Sequence, residues 1–311
     1  MATIDPSVTT CNAPSDALED AARQAPAILR YLAPGDFVTR RYVRAGAEIN
    51  TGEYRDYAAV VRDGMPIRDH FTLDTHGFVI GKGPSRVQDF WNRDEVDALY
   101  PYDAVEIIKT MTGADRVATQ GWMIRTSADL SQRAQEKTQN YQHAGGIQPP
   151  AGEAHVDYNQ NTAHKAAARM HQQAFGSPDG YRRFICVSLW RTFTPGPQDW
   201  PLALCDYRSV EDSEGVSNTL FVVDEFPQGD ALTAPVAGES EMIAATIFHH
   251  NTSHRWWYFS DMAMDDVLLF KFHDSDHGLA WRCPHTAFHD TSLPDTQTRA
   301  SIELRAIAFF D

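Results

Sequence analysis

The sequence has little that would place it in a membrane, in a secretory pathway or on a nucleic acid. No apolar run approaches the ~20 residues that a membrane-spanning helix needs. The first twenty residues, MATIDPSVTTCNAPSDALED, contain neither a basic region nor an apolar core, so no secretory signal is predicted. Lys and Arg number 27 against 42 Asp and Glu, which gives a net charge of −15. Such a surface repels phosphate backbones and anionic lipids, so we expect neither nucleic acid nor membrane as a partner.

Cysteine is scarce as well. The four cysteines, Cys11, Cys186, Cys205 and Cys283, are far apart and form no CxxC pair. Scattered thiols in a chain without a predicted signal are typical of a reducing compartment. We therefore expect a cytoplasmic protein that acts on a small molecule, and the sequence leaves its oligomeric state open.

Short strand-like segments dominate the second half of the chain. From residue 151 onward, about seven short apolar segments are separated by turn signals, with one helical segment inserted. This pattern predicts a mainly β fold with flanking helices, in which a double-stranded β-helix (jelly-roll) core covers 151–311. Residues 1–150 are predicted to form an α+β N-terminal extension that starts with a short helix before residue 33. No linker separates the two parts, so we expect a single domain over 1–311.

Two segments of the N-terminal part have their own signals. VQDFWNRDEVDALYPYDAVEIIKTMTGA, residues 87–114, has helical spacing, and Pro101 is expected to break this helix after Tyr100. Residues 128–152 are polar and end in Gly-Gly and Pro-Pro, which predicts a loop. Because this loop directly precedes the candidate site, we interpret it as a segment that closes over the site.

Two residues in the stretch EAHVDYNQ are the first candidates for chemistry. His155 and Asp157 stand two apart, and on a strand such residues point to the same face. A second histidine from elsewhere would complete a set of two histidines and one carboxylate, which holds Fe(II) and leaves coordination positions open. His285, in RCPHTAFHD, is the candidate for that ligand. An HxD pair alone is a frequent coincidence, so the downstream sequence has to support it.

The last predicted strand carries that support. Arg299 and Ser301 share one face, and a guanidinium beside a hydroxyl suits bidentate capture of a carboxylate. Arg305 lies on the same face and is the alternative carboxylate ligand. The order of these motifs along the chain, HxD first, then a distal histidine, then Arg-x-Ser, is typical of iron enzymes that use 2-oxoglutarate.

Several segments resemble one family. SLWRTFTPGPQDWPLALCDYRSV, HNTSHRWWYFSDM, CPHTAFHD and RASIELRAIAFF are similar to the CmcJ/AsaB-like hydroxylase/desaturase family of bacterial and fungal secondary metabolism, over roughly the last 160 residues. The resemblance implies a jelly-roll oxygenase that uses Fe(II), 2-oxoglutarate and O2 to oxidise an unactivated C–H bond of a small molecule. It places iron on His155, Asp157 and His285. It places 2-oxoglutarate on Arg299 and Ser301.

Three further residues are candidates for the substrate pocket. Tyr158 directly follows the HxD pair, Arg191 lies in the strand SLWRTF, and Trp257 lies in HRWWYF. A surface salt bridge is an equal alternative for Arg191, and packing in the core is the more common role of a residue such as Trp257. In the strand of Arg191, Ser188 replaces the asparagine of the family pattern.

Two other classes of protein fit part of the pattern. A zinc-dependent hydrolase could use the same three ligands but would not need the Arg-x-Ser pair. A jelly-roll protein that binds small molecules without catalysis would show the same strands. Binding of iron together with 2-oxoglutarate would separate the oxygenase from both alternatives.

Overall fold

Two β-sheets that face each other make up most of the protein. The computed structural model describes residue 19 and residues 21–44, 47–128 and 146–311. In chain order, the strands of this part are β1 (Gln24–Leu32), β2 (Arg40–Arg44), β3 (Ala47–Asn50), β4 (Tyr54–Asp63), β5 (Phe78–Lys82), β6 (Arg116–Thr126), β7 (Ile147–Gln148), β8 (His155–Val156), β9 (Arg183–Thr192), β10 (Leu202–Cys205), β11 (Gly215–Val222), β12 (Ala244–Phe248), β13 (Trp256–Tyr258), β14 (Asp266–Asp274), β15 (His285–Ala287) and β16 (Ala300–Phe310).

Both sheets combine strands from the two halves of the sequence. The ten-stranded sheet has the order β1-β4-β13-β10-β15-β8-β12-β11-β2-β3, and the six-stranded sheet has the order β5-β14-β9-β16-β6-β7. The central strands β8, β15, β9 and β16 carry the candidate site residues or lie next to them. The candidate site therefore lies between the middles of the two sheets.

The six-stranded sheet is buried on both faces. Alternate side chains of β9 enter two different apolar clusters, as Trp190 and Leu189 illustrate: Trp190 faces the ten-stranded sheet, and Leu189 faces a helix on the outside. Because both faces need apolar residues, β9 reads as a nearly continuous apolar run. Residues next to each other on this strand therefore belong to different cores.

Three α-helices flank the sheets in the described ranges: α1 (Leu73–His76), α2 (Arg93–Thr112) and α3 (Gln160–Phe175). The predicted break in α2 is wrong, because Pro101 lies inside one continuous helix. Tyr100 and Ala104, on either side of the proline, are fully buried in the apolar cluster between α2 and the six-stranded sheet. The stabilisation from this packing outweighs the loss of the one backbone hydrogen bond that the proline removes. None of the helices in the described ranges is long and apolar enough to cross a membrane.

The predicted N-terminal helix is wrong as well. Residues Gln24–Leu32 form strand β1, which pairs antiparallel with β4 from Gln24 opposite Arg62 to Leu32 opposite Tyr54. Exposed and buried positions alternate along β1, which is the period of a half-buried strand. Strand β11 was not anticipated either, because its sequence GVSNTLFV mixes polar and apolar residues without a clear period.

Candidate metal centre and adjoining cavities

Three candidate metal ligands meet in the structure as the sequence predicted. His155 on β8 lies directly opposite His285 on β15, and the centroids of the two imidazole rings are 4.4 Å apart. Asp157 follows β8 and precedes α3, whose first turn is fixed by the Asn159 side chain accepting a hydrogen bond from the Thr162 N–H at 2.8 Å. One ligand atom from each of His155, Asp157 and His285, here called the metal triad, lies within 4.8 Å of the others.

Backbone carbonyls fix the orientation of both histidine rings. His155 Nδ1 donates to the carbonyl oxygen of Glu153 at 2.8 Å, and His285 Nδ1 donates to that of Cys283 at 3.1 Å. A carbonyl oxygen can only accept, so each Nδ1 carries the proton and each Nε2 keeps its lone pair. This is the arrangement of histidines that ligate a metal through Nε2, so the donor set fits a divalent metal.

Asp157 is held in its ionised form. Burial favours the neutral acid, but the positive charge of Arg305 and the contact with His155 hold the pKa of Asp157 well below its usual range. Arg305 Nε lies 2.7 Å from Asp157 Oδ2, while Asp157 Oδ1 lies 3.4 Å from His155 Nε2. One carboxylate oxygen is therefore engaged by an arginine, and the other faces the histidines.

The surroundings shift the pKa values of the two histidines in opposite directions. Burial, together with the nearby His155, lowers the pKa of His285 to about 3, so this ring is neutral at physiological pH. For His155 burial acts in the same direction, but the bond and charge of Asp157 outweigh it and raise the pKa. A metal binds the neutral imidazole, so a metal cation at Nε2 would compete with a proton for each ring.

A small inner cavity is lined by all three residues of the metal triad and by Arg299. Arg299 is 1% exposed and lies above the indole ring of Trp190, with its guanidinium carbon 5.4 Å from the ring centroid. Its Nη1 donates to the carbonyl oxygen of Trp200 at 2.8 Å. Within the described ranges no carboxylate forms an ion pair with Arg299. Burial and the charge of Arg125 lower its pKa to about 9, so an incoming carboxylate would stabilise the charged guanidinium.

Ser301 supports Arg299 rather than lining the cavity. Arg299 Nε donates to Ser301 Oγ at 3.0 Å, and Ser301 Oγ in turn donates to the Arg125 carbonyl oxygen at 3.4 Å. The hydroxyl thereby fixes the plane of the guanidinium. The predicted Arg-x-Ser pair exists, with the serine acting on the arginine.

Sequence reasoning missed two charged residues beside the triad. Glu303 accepts hydrogen bonds from Arg125 Nε at 3.0 Å and from Arg125 Nη2 at 3.2 Å, and Arg305 Nη2 donates to it at 3.4 Å. Arg299, Ser301, Glu303 and Arg305 occupy alternate positions of β16, so strand periodicity was the signal that could have revealed Glu303. Arg125 lies on the neighbouring strand β6, opposite Ser301, and only the sheet order reveals it.

A larger outer cavity of about 1510 Å³, open to solvent, begins at the same triad. The two cavities share four lining residues, namely His155, Asp157, Arg125 and Ala151. One part of its wall is aliphatic and comes from β2, β11, β12 and the residue before β12, namely Val43, Leu220, Ile243, Ala245 and Ile247. Charged residues also line the cavity, namely Arg41, Glu48, Arg125, Glu153 and Arg305. Tyr158 lines it as predicted; its hydroxyl donates to Gln120 Oε1, and burial raises its pKa above the usual value.

Two predicted pocket residues lie elsewhere. Arg191 is on the opposite face of β9 from Trp190, with its guanidinium carbon 5.8 Å from the centroid of Phe90 and 5.4 Å from that of Tyr100. Trp257 is fully buried and packs on Phe71 at 5.0 Å between centroids. Neither lines the inner or the outer cavity. Most of the predicted closing segment 128–152 lies outside the described residues.

A second cluster has the same composition as the metal triad. Glu19, His70 and His76, here called the second triad, also have one ligand atom each within 4.8 Å of one another. However, His76 Nδ1 accepts the Thr72 N–H at 3.1 Å, so the proton of His76 lies on Nε2 and no lone pair remains there. The Glu19 carboxylate is also engaged by Arg208 at 2.9 Å. These residues do not fit a metal.

Comparisons with known proteins show which family the chain resembles. The profile of a family described as an oxidoreductase/YMDC permease-like domain matches residues 29–309. The hydroxylase/desaturase efuI of Hormonema carpetanum is 29% identical over 265 residues, which cover 83% of this chain and 85% of the relative. The hydroxylase/desaturase CTB9 of Cercospora beticola is 31% identical over 250 residues, 78% of this chain and 73% of the relative.

A third relative also has a solved structure. The Fe(II)/2-oxoglutarate-dependent dioxygenase nvfI of Aspergillus novofumigatus is 27% identical over 257 residues, 79% of this chain and 81% of the relative. The structure of the iron and alpha-ketoglutarate-dependent endoperoxidase NvfI superimposes with a TM-score of 0.71 at 20% identity, over 92% of this chain and 98% of that one. This match confirms the predicted jelly-roll fold. The chain belongs to the CmcJ/AsaB-like hydroxylase/desaturase family of Fe(II)/2-oxoglutarate-dependent oxygenases, as its motifs predicted.

Proposed function

We propose that the metal triad of His155, Asp157 and His285 holds the Fe(II) of this oxygenase and that Arg299 binds the far carboxylate of 2-oxoglutarate. The observation that carries the proposal is the inner cavity, which has the three ligands at one end and, at the other, a buried guanidinium that pairs with no carboxylate of the described residues. 2-Oxoglutarate is a dianion with a chelating 2-oxo acid at one end and a carboxylate at the other. Its two ends match the two ends of this cavity.

The choice between the two arginines follows from their partners. Arg305 already forms an ion pair with Asp157, at 2.7 Å, whereas Arg299 has only neutral partners in the described part of the chain. Moving Arg305 to a ligand would remove the counter-charge of a buried carboxylate, which is costly. Arg299 is therefore the co-substrate residue in this proposal, Ser301 orients it, and Arg305 positions the metal ligand.

The reaction uses 2-oxoglutarate and O2 to oxidise a substrate C–H bond. It gives succinate, CO2 and either a hydroxylated product or, with release of water, a desaturated or cyclised one, and the iron, when bound, would supply the oxidising chemistry. The protein's residues position the reactants. The three ligands would hold the metal and leave coordination positions open for 2-oxoglutarate and O2. Arg299 fixes the co-substrate, and the outer cavity gives the substrate access to the metal triad.

We also propose the setting in which this reaction takes place. The substrate is a small molecule, and one domain over 1–311 is supported by the way strands from both halves share both sheets. A cytosolic location is supported by three buried free thiols, Cys186, Cys205 and Cys283. The net charge of −15 argues against nucleic acid or anionic lipid as a partner.

Anaerobic titration of the protein with Fe(II) and then 2-oxoglutarate tests the proposal. We expect the weak visible charge-transfer band of the chelate in the wild type, none in His285→Ala, and a band in Arg299→Ala that requires at least ~30-fold more 2-oxoglutarate. Arg191→Ala, which removes a buried guanidinium outside both cavities, is the matched control and should titrate like the wild type. A wild-type protein that binds zinc but gives no band with Fe(II) would support the hydrolase alternative instead.

A further inference from the structure

One polar side chain stands out in the aliphatic wall of the outer cavity. Asn218, on β11, is 6% exposed and lines this cavity. Its side-chain amide forms no hydrogen bond with any residue in the described ranges, although the neighbouring wall residues Leu220, Ala245 and Ile247 are aliphatic. The amide faces the open cavity without a partner among these residues, so an oxygen of a bound molecule can pair with it in place of solvent.

The register of the ten-stranded sheet places Asn218 relative to the metal triad. His155 lies opposite Ile247 on β12, and Ile247 lies opposite Val216 on β11. Val216 and Asn218 are two residues apart, so Asn218 and His155 project from the same face of the sheet. Two strand spacings across and two residues along give about 12 Å between their backbones. The amide thus lies at the far side of the cavity from the metal site.

We propose that Asn218 orients the substrate by hydrogen bonding to a carbonyl or hydroxyl oxygen of a neutral, mainly apolar molecule. This inference rests on the proposed function, because it takes the outer cavity as the substrate site. The amide offers both N–H donors and a carbonyl acceptor, so it can bind either kind of oxygen. The aliphatic wall accommodates a hydrocarbon skeleton, and the arginines that also line the cavity, Arg41, Arg125 and Arg305, are already paired with Glu48, Glu303 and Asp157. Asn218 is thus a specificity-determining residue.

Three planar tricyclic probes of nearly equal size can test the inference. Fluorenone carries a carbonyl oxygen, fluorene carries no oxygen, and fluorene-9-carboxylate carries a charge. Binding of each to protein loaded anaerobically with Fe(II) and 2-oxoglutarate is measured by calorimetry. We expect the wild type to bind fluorenone about 5-fold more tightly than fluorene, which is the effect of one neutral hydrogen bond. The carboxylate should bind most weakly.

Two variants separate the hydrogen bond from the shape of the cavity. Asn218→Leu keeps the volume and removes the amide, so fluorenone should lose its 5-fold advantage while fluorene binds at least as tightly as before. Asn218→Asp keeps the shape but removes the donors, and should also lose the preference for fluorenone. Ser217→Ala, at the adjacent position on the opposite face of β11, is the control and should retain the wild-type preference.

The outcomes distinguish this inference from the proposed function. A wild-type protein that gives the chelate band but binds fluorenone and fluorene equally, or binds none of the three probes, overturns the role of Asn218 and leaves the metal and co-substrate assignments intact. A preference for fluorenone that persists in Asn218→Leu also overturns it. If the chelate band itself is absent, the proposed function fails, whereas the effect of Asn218 on fluorenone binding is still measured independently.

Discussion

The metal triad and the second triad contain the same groups, two histidines and a carboxylate, and in each the ligand atoms lie within 4.8 Å of one another. Their surroundings differ. In the metal triad both histidines donate Nδ1–H to backbone carbonyls and so direct the Nε2 lone pairs at a common point. In the second triad, His76 Nδ1 accepts a backbone N–H, which puts its proton on Nε2.

The carboxylates of the two triads also differ in how many of their oxygens are paired with arginines. Asp157 has one oxygen on Arg305 and one facing the histidines, whereas both oxygens of Glu19 have guanidinium partners, Arg208 at 2.9 Å and Arg255 at 3.3 Å. One cluster therefore presents lone pairs, and the other is a closed network of hydrogen bonds and ion pairs. The groups that contact the ligands, and not the ligand types alone, decide which cluster binds a metal.

The largest expected effect is on metal content. His285→Ala removes one ligand of the metal triad and should lower Fe(II) affinity by more than ~100-fold, because even the loss of a group behind a ligand costs 10- to 100-fold. His76→Phe, in the second triad, should leave one metal bound per chain at unchanged affinity. Calorimetry with Fe(II) or Co(II) and metal analysis measure both. Loss of metal from the His76 variant would show that the second triad also binds a metal.

Arg305→Met should have the next largest effect. Without the guanidinium, Asp157 loses the partner that holds Oδ2, and we expect about 30-fold weaker Fe(II) binding. At saturating metal, 2-oxoglutarate should bind as in the wild type. Arg299→Met should show the opposite split, with metal binding unchanged and co-substrate binding weakened, as measured by the chelate band. If Arg305→Met impairs 2-oxoglutarate binding while metal binding is normal, the two arginines have been assigned the wrong way round.

Glu19→Gln tests whether the second triad stabilises the fold. The substitution leaves Arg208 and Arg255 without this carboxylate, and Glu19 is only 6% exposed. We expect the free energy of unfolding to fall by about 1.5 kcal/mol, with metal affinity unchanged. Glu48→Gln in the exposed pair with Arg41 is the control, with an expected loss below ~0.5 kcal/mol. Urea unfolding measures both, and equal losses would contradict a specific role of Glu19.

The smallest effect concerns pH. Burial lowers the pKa of His76 from 6.5 to about 4; Arg208 and His70 act in the same direction, while Asp206 and Glu19 oppose it. The unfolded chain therefore binds a proton at a pH where the folded chain does not, so stability from this group is complete above about pH 6.5 and is lost on acidification towards pH 4. Between about pH 6.5 and 5.5 the loss should be about 1 kcal/mol.

His76→Phe should remove this part of the pH dependence. The difference in unfolding free energy between wild type and variant, both metal-free, isolates it from the titration of the metal triad. A difference that stays constant from pH 7 to pH 5 would show that His76 titrates normally in the folded protein.

The metal triad could be predicted because its information is local. His155 and Asp157 share a strand face by their spacing, and the motif around His285 has a recognisable context. The partner of Arg305 could not be predicted, since Asp157 reaches it from the opposite sheet. Arg125 was missed for the same reason, because only the pairing of β6 with β16 brings it to the site, whereas the strand periodicity of β16 could have revealed Glu303.

The errors share a physical cause. β9 is apolar on both faces, so its sequence does not say whether Trp190 or Arg191 faces the cavity, and the covering helix α2 decides it. Pro101 remains inside α2 because packing against the sheet outweighs one lost hydrogen bond. In β1, pairing with β4 outweighs the helical spacing of the sequence. In each case tertiary contacts override a local preference.

The hydrogen bonds from the Nδ1 atoms of the two ligand histidines to backbone carbonyls have an evolutionary consequence. Each ring is fixed by the carbonyl two residues earlier in its own chain segment, and the two strands pair directly at His155 and His285. The relative positions of the two ligand histidines are thus set largely by local contacts, whereas β11 and β12, from the stretch of chain between them, line the outer cavity. Mutations and insertions there can change which molecule is accepted while the reactive centre persists, which allows related enzymes to diverge in substrate on a constant chemical core.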